Sequence, residues 1–168
     1  MSWWAWMVVL VMSGAAIAAE SGPPTGWRFP TEADYKGGWT DYRDKFPVPF
    51  HVTGDFDGDG LVDHAWILIR EGGDGFGLFV FFGRRNADTQ VVKVFSESTC
   101  CAQAYALALV PPGRHKTFCG RRADCSPGEP SSVTLKHPGF EFMTLGTASG
   151  LYYWSPSAKG FRSVTVAD

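Results

Sequence analysis

One acidic stretch of the sequence has the residue types and spacing to bind a metal ion. Between residues 55 and 63 the chain reads DFDGDGLVD, which places four carboxylates and two glycines within nine residues. Counted from Asp55, the carboxylates occupy positions 1, 3, 5 and 9, glycine occupies position 6, and position 7 offers a main-chain carbonyl. Oxygen donors at alternate positions of a tightly turned chain converge on one point, and glycine permits the sharp turn. The stretch therefore predicts a site for a hard divalent cation.

The donor set favours calcium. All candidate ligands are oxygen atoms, which excludes sites for soft metals. Ca²⁺ accepts irregular oxygen shells, whereas Mg²⁺ requires near-octahedral geometry and retains water. Four carboxylates would commit their oxygens to the ion. We therefore expect a structural calcium rather than a reactive metal with an open coordination position. The alternative interpretation is a solvated acidic turn, because Asp and Gly are turn formers.

The segments around this stretch distinguish it from an EF-hand. An EF-hand needs a bidentate Glu at position 12, where this chain has Trp66, and it needs flanking helices. The flanks at residues 50–52 and 65–69 are instead β-type. The pattern D-x-D/N-x-D-G-x-x-D between strands resembles the calcium loop of FG-GAP and VCBS-type repeats. The resemblance implies that the ligands are the side chains of Asp55, Asp57, Asp59 and Asp63 and the carbonyl of Leu61.

The resemblance extends to small exported bacterial proteins that have a single such loop and no established function. They share a Cys-Gly…Cys segment, as in Cys119-Gly120…Cys125, and a C-terminal Tyr-Tyr-Trp strand, as in residues 152–154. FG-GAP and VCBS loops recur in the blades of β-propellers, but this chain has one copy. We therefore expect one calcium loop in a domain that is not a full propeller.

Short apolar runs separated by Gly and Pro turn signals predict a mainly β fold. The expected strands cover residues 50–53, 65–69, 78–82, 91–95, 132–136, 140–145, 151–154 and 161–166. Residues 105–110 could form a further strand or a buried helix, and the uninterrupted run 78–82 predicts a central strand covered on both faces. Thr31 is a candidate N-cap for a short N-terminal helical segment. We expect a single antiparallel β domain of about eight strands, containing a strand–calcium loop–strand hairpin.

The N-terminus carries export signals. No charged side chain precedes Glu20, and Ala16-Ile17-Ala18 fits the small-x-small rule of signal peptidase. We interpret residues 1–19 as a signal peptide, 20–29 as a flexible leader and 30–168 as a single β-rich domain. The protein is then periplasmic or secreted, with no membrane contact after cleavage. The alternative is a retained N-terminal anchor, because the apolar stretch lies at the lower limit for a membrane span.

The cysteine content fits an exported protein. Four cysteines, an even number, indicate two disulfides as the first interpretation. Their positions are Cys100, Cys101, Cys119 and Cys125. A local bond between the last two is feasible, whereas a bond between the adjacent pair closes a strained ring. Crossed pairing of the two groups stays open, and zinc is disfavoured because no C-x₂-C pair occurs.

No other group of residues matches the acidic stretch in specificity, and we assign no catalytic residue. The formal net charge of −2 gives no electrostatic footprint for nucleic acid. The pairs Arg84-Arg85 and Arg121-Arg122 are interpreted as solvated turn charges. His51 and His64 flank the acidic stretch and could reach each other across the hairpin.

Aromatic residues offer a second candidate surface. Tyr152 and Trp154 would share one face of a strand and could stack on a sugar or a peptide, although burial in the core is the commoner fate of such rings. The sequence thus predicts a calcium-binding interaction module whose partner is an unknown extracytoplasmic protein or glycan. The alternative is a carbohydrate-active or other hydrolytic enzyme that uses surface carboxylates, such as Glu71 with Asp74 or Glu141 with Glu129.

Overall fold

The computed structural model describes residues 22–85, 89–122, 125 and 127–167. The strands, in chain order, are β1 (Trp27–Arg28), β2 (His51–Gly54), β3 (Asp63–Arg70), β4 (Phe76–Phe82), β5 (Gln90–Glu97), β6 (Tyr105–Val110), β7 (Gly113–Lys116), β8 (Ser132–Leu135), β9 (Gly139–Thr144), β10 (Ser149–Ser155) and β11 (Gly160–Ala167). Two short helices, α1 (Gly38–Asp41) and α2 (Phe118–Arg122), and two 3₁₀ turns, Glu32–Asp34 and Ala102–Ala104, complete the fold. The mainly β class is confirmed.

The strands form two main sheets and a ribbon, and every pairing is antiparallel. The first sheet has the order β1-β3-β4-β5, with β2 also paired to β3, and the second has the order β11-β10-β9-β6. Strands β7 and β8 form the ribbon. Residues 105–110, for which the sequence left strand and helix open, form β6. Strands β1 and β7 are additional to those that the sequence predicted.

Strand β4 is the centre of the first sheet, as the uninterrupted apolar run predicts. All of its residues are buried. Leu78, Val80 and Phe82 point into the main core, and Phe79 and Phe81 point into a smaller cluster on the opposite face. The alternation follows from the two-residue period of a strand. Both faces of β4 are therefore covered.

The segment before residue 30 covers the outer face of this sheet. Trp27 and Arg28 pair with Arg70 and Ile69 of β3. The Trp27 ring packs edge-on against Phe79 at a centroid distance of 5.0 Å. The segment 20–29, which we expected to be a flexible leader, thus contains strand β1, whose Trp27 side chain packs against the sheet. The expected signal peptide, residues 1–19, lies outside the described residues.

The main core lies between the two large sheets. It joins Ile67 and Phe82 of the first sheet to Phe140 and Phe142 of the second. Trp39 of α1 closes one edge: its ring is fully buried, and its indole N–H donates to the carbonyl of Tyr105 at 2.8 Å. The sheets therefore share one hydrophobic core, as in a single domain. Among the described residues, no helix is long and apolar enough to cross a membrane.

The N-terminal turn is held by a buried carboxylate. Asp34 accepts two hydrogen bonds from the Arg28 guanidinium, both at 2.7 Å. It also accepts bonds from the amide of Thr31 at 2.8 Å and from the Thr31 hydroxyl at 3.0 Å. The bonds from Arg28, and secondarily those from Thr31, hold the pKa of Asp34 well below its ordinary value. The predicted helical segment at Thr31 is thus a single 3₁₀ turn that Asp34 closes.

Replacing Asp34 with Asn should lower the free energy of unfolding by about 2 kcal/mol at neutral pH. The depressed pKa means that Asp34 contributes stability above its unfolded-state pKa, and this contribution is lost as the pH falls through the folded-state value. Urea denaturation measures the free energy of unfolding at pH 7 and at pH 3. Its decrease between these pH values should be smaller for the variant than for the wild type. The control is Asp44→Asn, which alters an exposed carboxylate. It should leave the pH dependence of the free energy of unfolding as in the wild type.

Candidate metal centre

The acidic stretch connects two paired strands, so its ends are fixed. Strands β2 and β3 pair from His51 opposite Trp66 to Gly54 opposite Asp63. Residues 55–62 form the connection. Its two glycines both have positive φ, with values of 81° at residue 58 and 84° at residue 60. Side chains are disfavoured in this region of backbone conformation, which explains why glycine occurs at both positions.

One apolar residue anchors the loop to the core. Phe56 is 1% exposed. Its ring packs edge-on against Phe140 of β9 at a centroid distance of 5.4 Å. The His137 ring, in the turn before β9, lies so close to Gly58 that a Cβ atom there would collide with it. The loop is therefore packed against β9 of the second sheet and the turn that precedes it.

The structure brings together three of the four predicted carboxylates. Asp55, Asp57 and Asp63 each offer an oxygen atom within 4.8 Å of the others, a spacing at which they could hold a metal ion. Asp59 is not in this group, and its Oδ1 accepts a hydrogen bond from the amide of Leu61 at 2.9 Å. The roles of Asp59 and of the Leu61 carbonyl as ligands stay predictions.

Asp55 organises the turn itself. Its two carboxylate oxygens accept hydrogen bonds from the amides of Gly58 and Gly60, at 2.8 and 3.0 Å. Asp57 makes a weaker bond of the same kind with the amide of Asp59 at 3.3 Å. These bonds turn the chain so that its first and last carboxylates face the same point.

Asp63 is the most unusual carboxylate of the group, since it is completely buried. Its oxygens accept hydrogen bonds from the amides of Phe56 at 2.8 Å and Gly83 at 2.9 Å. Burial raises the pKa of Asp63 to about 6, although these two bonds favour the ionised form. The side chain thus joins the loop to the turn that follows β4.

Arg84 supplies positive charge beside the loop. Its Nη1 donates to Asp57 and to Asp59, in each case at 3.1 Å. The guanidinium also lies over the Phe82 ring, 4.9 Å from its centroid. The interpretation of this arginine as a solvated turn charge was therefore wrong. Arg121 is exposed, as that interpretation expects, and its Nη1 donates to the carbonyl of Val166 at 3.0 Å.

The two histidines that flank the loop meet across the hairpin, as the sequence suggested. Nε2 of His51 lies 3.0 Å from Nδ1 of His64, and the His51 ring stacks on Trp66 at a centroid distance of 3.7 Å. Burial, and secondarily the neighbouring His64, lowers the pKa of His51 to about 4. His51 is therefore neutral at pH 7 and resists protonation in the folded state.

Replacing His51 with Gln should make folding stability less sensitive to acid. In the wild type the unfolded chain binds a proton at His51 near pH 6.5, whereas the folded chain does so near pH 4. Stability from this residue is complete above pH 6.5 and is lost as the pH falls toward 4, by at most about 1.4 kcal/mol per pH unit. Asp63 titrates near pH 6 with the opposite sign, so the difference between wild type and variant is the quantity to measure. The urea midpoint of each protein is measured at pH 7.5 and at pH 4.5. An equal drop in midpoint for wild type and variant would contradict the lowered pKa of His51.

The cysteines form one local disulfide in the described part of the chain. Cys119, on α2, is bonded to Cys125, with their Cα atoms 4.7 Å apart. The local pairing is confirmed, and the crossed pairings that the sequence left open are wrong. The expectation of a second disulfide is not met in this structure, because Cys100 and Cys101 carry free thiols.

The structure also places the other candidate residues. Tyr152 and Trp154 share one side of β10, as expected, but that side packs on the core: their rings contact Phe140 and Phe82, at centroid distances of 5.7 and 5.1 Å. The two residues are half-buried. The surface carboxylates considered for catalysis are distributed over separate elements: Glu71 and Asp74 lie in the turn between β3 and β4, Glu141 lies on β9, and Glu129 precedes β8.

Comparison with protein-family models, with curated proteins and with solved structures found no match for this chain. The resemblance to FG-GAP and VCBS loops therefore stays a prediction from the residues of the loop and its flanks.

Proposed function

We propose that this chain is an exported β domain that binds one Ca²⁺ at residues 55–63, and that the ion has a structural role. The observation that carries the proposal is the convergence of Asp55, Asp57 and Asp63 within 4.8 Å. These carboxylates come from the two ends and the first turn of the loop. An ion between them would connect the end of β2 to the start of β3.

Electrostatics favours a cation at this point. Two carboxylate oxygens that lie within 4.8 Å of each other repel by roughly 3 kcal/mol or more at an effective dielectric constant near 20. Arg84 offsets the charge of Asp57, but among the described residues no ion pair reaches Asp55 or Asp63. A bound Ca²⁺ would supply the missing positive charge and would favour the ionised form of Asp63.

The contacts of Asp63 support a structural role. Its two oxygens already hold the amides of Phe56 and Gly83, so a further bond to calcium would join loop, hairpin and neighbouring turn into one unit. Carboxylates committed in this way leave little room for a reacting group. We infer that calcium stabilises the domain, and that its surface serves as a module for an extracytoplasmic protein or glycan that is still to be identified.

Export is proposed on two grounds. The N-terminal sequence has the features of a signal peptide, and the Cys119–Cys125 disulfide is typical of oxidising compartments such as the periplasm or the exterior. Extracellular calcium-binding modules can use sites with dissociation constants of about 10⁻⁴–10⁻³ M. The proposed compartment and the proposed ion are therefore compatible.

Calcium should raise the melting temperature of the mature protein. At a free concentration one hundred times the dissociation constant, binding adds about 2.7 kcal/mol, which corresponds to a shift on the order of 10 °C for a domain of this size. The measurement is thermal melting in EDTA and in excess Ca²⁺. Asp57→Ala removes a proposed ligand and should abolish the shift.

The matched control is Asp74→Ala, which removes an exposed carboxylate from the turn between β3 and β4. Calcium should raise the melting temperature of this variant as much as that of the wild type. Identical wild-type melting curves in EDTA and in calcium would rule out the proposed site. A shift that persists in Asp57→Ala would place the calcium elsewhere.

A further inference from the structure

Two adjacent cysteines form a second cluster of reactive side chains, remote from the acidic loop. Cys100 and Cys101 lie in the connection between β5 and the 3₁₀ turn Ala102–Ala104. Their Sγ atoms are 2.9 Å apart, so the two thiols are in direct contact. Cys101 is exposed and Cys100 is half-buried. Both sulfur atoms are thus placed to react with each other and with a reagent from solvent.

The cysteines line an open cavity of about 590 Å³. Its charged lining residues are Arg28, Asp34, Lys36, Arg70 and Asp74. The first two neutralise each other in the ion pair described above. Lys36 and Arg70 form no ion pair within the described part of the chain. Asp74 offsets one of these two positive charges, so the lining keeps a net positive charge, which attracts anionic reagents. The contact with Cys100, and secondarily burial, raises the pKa of the Cys101 thiol, and the thiolate is the form that reacts.

This cavity lies at the opposite end of β3 from the acidic loop. Asp63 begins the strand, and Arg70, which lines the cavity, ends it. Seven residues of extended chain separate these positions by more than about 20 Å. The thiol pair is therefore chemically independent of the proposed calcium site.

We propose that Cys100 and Cys101 form a reversible dithiol–disulfide couple that reacts with small anionic disulfides of the oxidised-glutathione class. One cysteine thiolate attacks a sulfur of the oxidant, the oxidant's S–S bond breaks, and the first glutathione leaves as a thiolate. The neighbouring thiolate then attacks the mixed disulfide and displaces the second glutathione. In total the two cysteine thiols lose two protons and two electrons, and the oxidant is reduced to two thiols.

The geometry of neighbouring residues makes this couple readily reducible. Consecutive Cα atoms are about 3.8 Å apart across a trans peptide, which is below the usual range of disulfide-bonded cysteines, about 4.4–6.8 Å. Strained and exposed disulfides have more oxidising potentials than structural ones. Cys119 and Cys125, whose Cα atoms are 4.7 Å apart, fall within the usual range. The adjacent pair should therefore be reduced at lower dithiothreitol concentrations than this local disulfide.

Peptide mapping of the full mature chain tests the proposal. Trypsin cleaves after Lys93 and Arg114 and releases a peptide, residues 94–114, that contains Cys100 and Cys101 and no other cysteine. The protein is equilibrated in glutathione redox buffers, alkylated with N-ethylmaleimide, digested and analysed by mass spectrometry. In oxidising buffer we expect this peptide to be two hydrogens lighter than the dithiol and to carry no alkyl group. Dithiothreitol should restore two alkylatable thiols.

Single serine variants show whether the neighbouring thiol resolves the intermediate. Cys100→Ser and Cys101→Ser should each accumulate a stable glutathione adduct on peptide 94–114, whereas the wild type should not. Asp57→Ala, which alters the acidic loop, should behave like the wild type. A persistent glutathione adduct in the wild type, a disulfide between two chains at these cysteines, or full alkylation in oxidising buffer would each overturn the proposal.

Discussion

Replacing Asp63 with alanine should lower the free energy of unfolding by about 2–4 kcal/mol in the absence of calcium and should also abolish the calcium-induced rise in melting temperature. The side chain is completely buried and holds the amides of Phe56 and Gly83. Each buried donor left without an acceptor costs about 1–3 kcal/mol, and the relief of burying a charge offsets part of this loss. Urea denaturation in EDTA gives the first quantity, and melting with and without calcium gives the second.

The informative control is Asp57→Ala. Asp57 has partners that remain accessible to solvent, and its bond to a backbone amide is long, at 3.3 Å. Its replacement should change stability in EDTA by less than about 1 kcal/mol, while it abolishes the calcium effect. Equal losses for the two variants in EDTA would show that the amide contacts of Asp63 do not hold the loop.

Replacing Phe56 with alanine should lower the free energy of unfolding by about 3–5 kcal/mol, the usual cost of deleting a buried phenylalanine. Its ring is 1% exposed and packs against Phe140. Phe56 lies between two proposed ligands in sequence but contributes no oxygen ligand from its side chain. Chemical denaturation in EDTA measures the loss of stability, and calcium should still raise the melting temperature of the variant.

The matched control in the same loop is Val62→Ala. Val62 is 61% exposed, so its truncation should change stability by no more than about 0.5 kcal/mol. If Phe56→Ala were as mild as Val62→Ala, the loop would not be anchored through the core. Loss of the calcium effect in Phe56→Ala would show that this anchor also positions the carboxylates.

The strands were the most predictable part of the structure, because burial imposes a two-residue period that the sequence displays. The run at residues 78–82 was expected to be a central strand, and β4 is buried on both faces. Strand β1 was less predictable. Trp27 and Phe29 follow a Gly- and Pro-rich segment that suggests disorder, and their burial depends on the distant surface formed by Phe79 and Phe81. Local composition does not contain that information.

The candidate site was predictable where its residues are close in sequence. The spacing of Asp55, Asp57 and Asp63 suggests convergence, and the structure shows it. The contribution of Arg84 was not predictable, because it contacts Asp57 across 27 residues of sequence. It reaches the loop only because β3 and β4 pair and return the chain to the same edge. Gly83 is placed by the same pairing, and nothing in its local sequence indicates a contact with Asp63.

Calorimetric titration of the mature protein with CaCl₂ tests the central proposal most directly, because it measures the ion and its stoichiometry together. We expect saturable binding of one Ca²⁺ per chain, loss of that binding in Asp57→Ala, and unchanged binding in Asp74→Ala. The absence of saturable binding by the folded, metal-free protein would contradict the proposal that residues 55–63 form a calcium site.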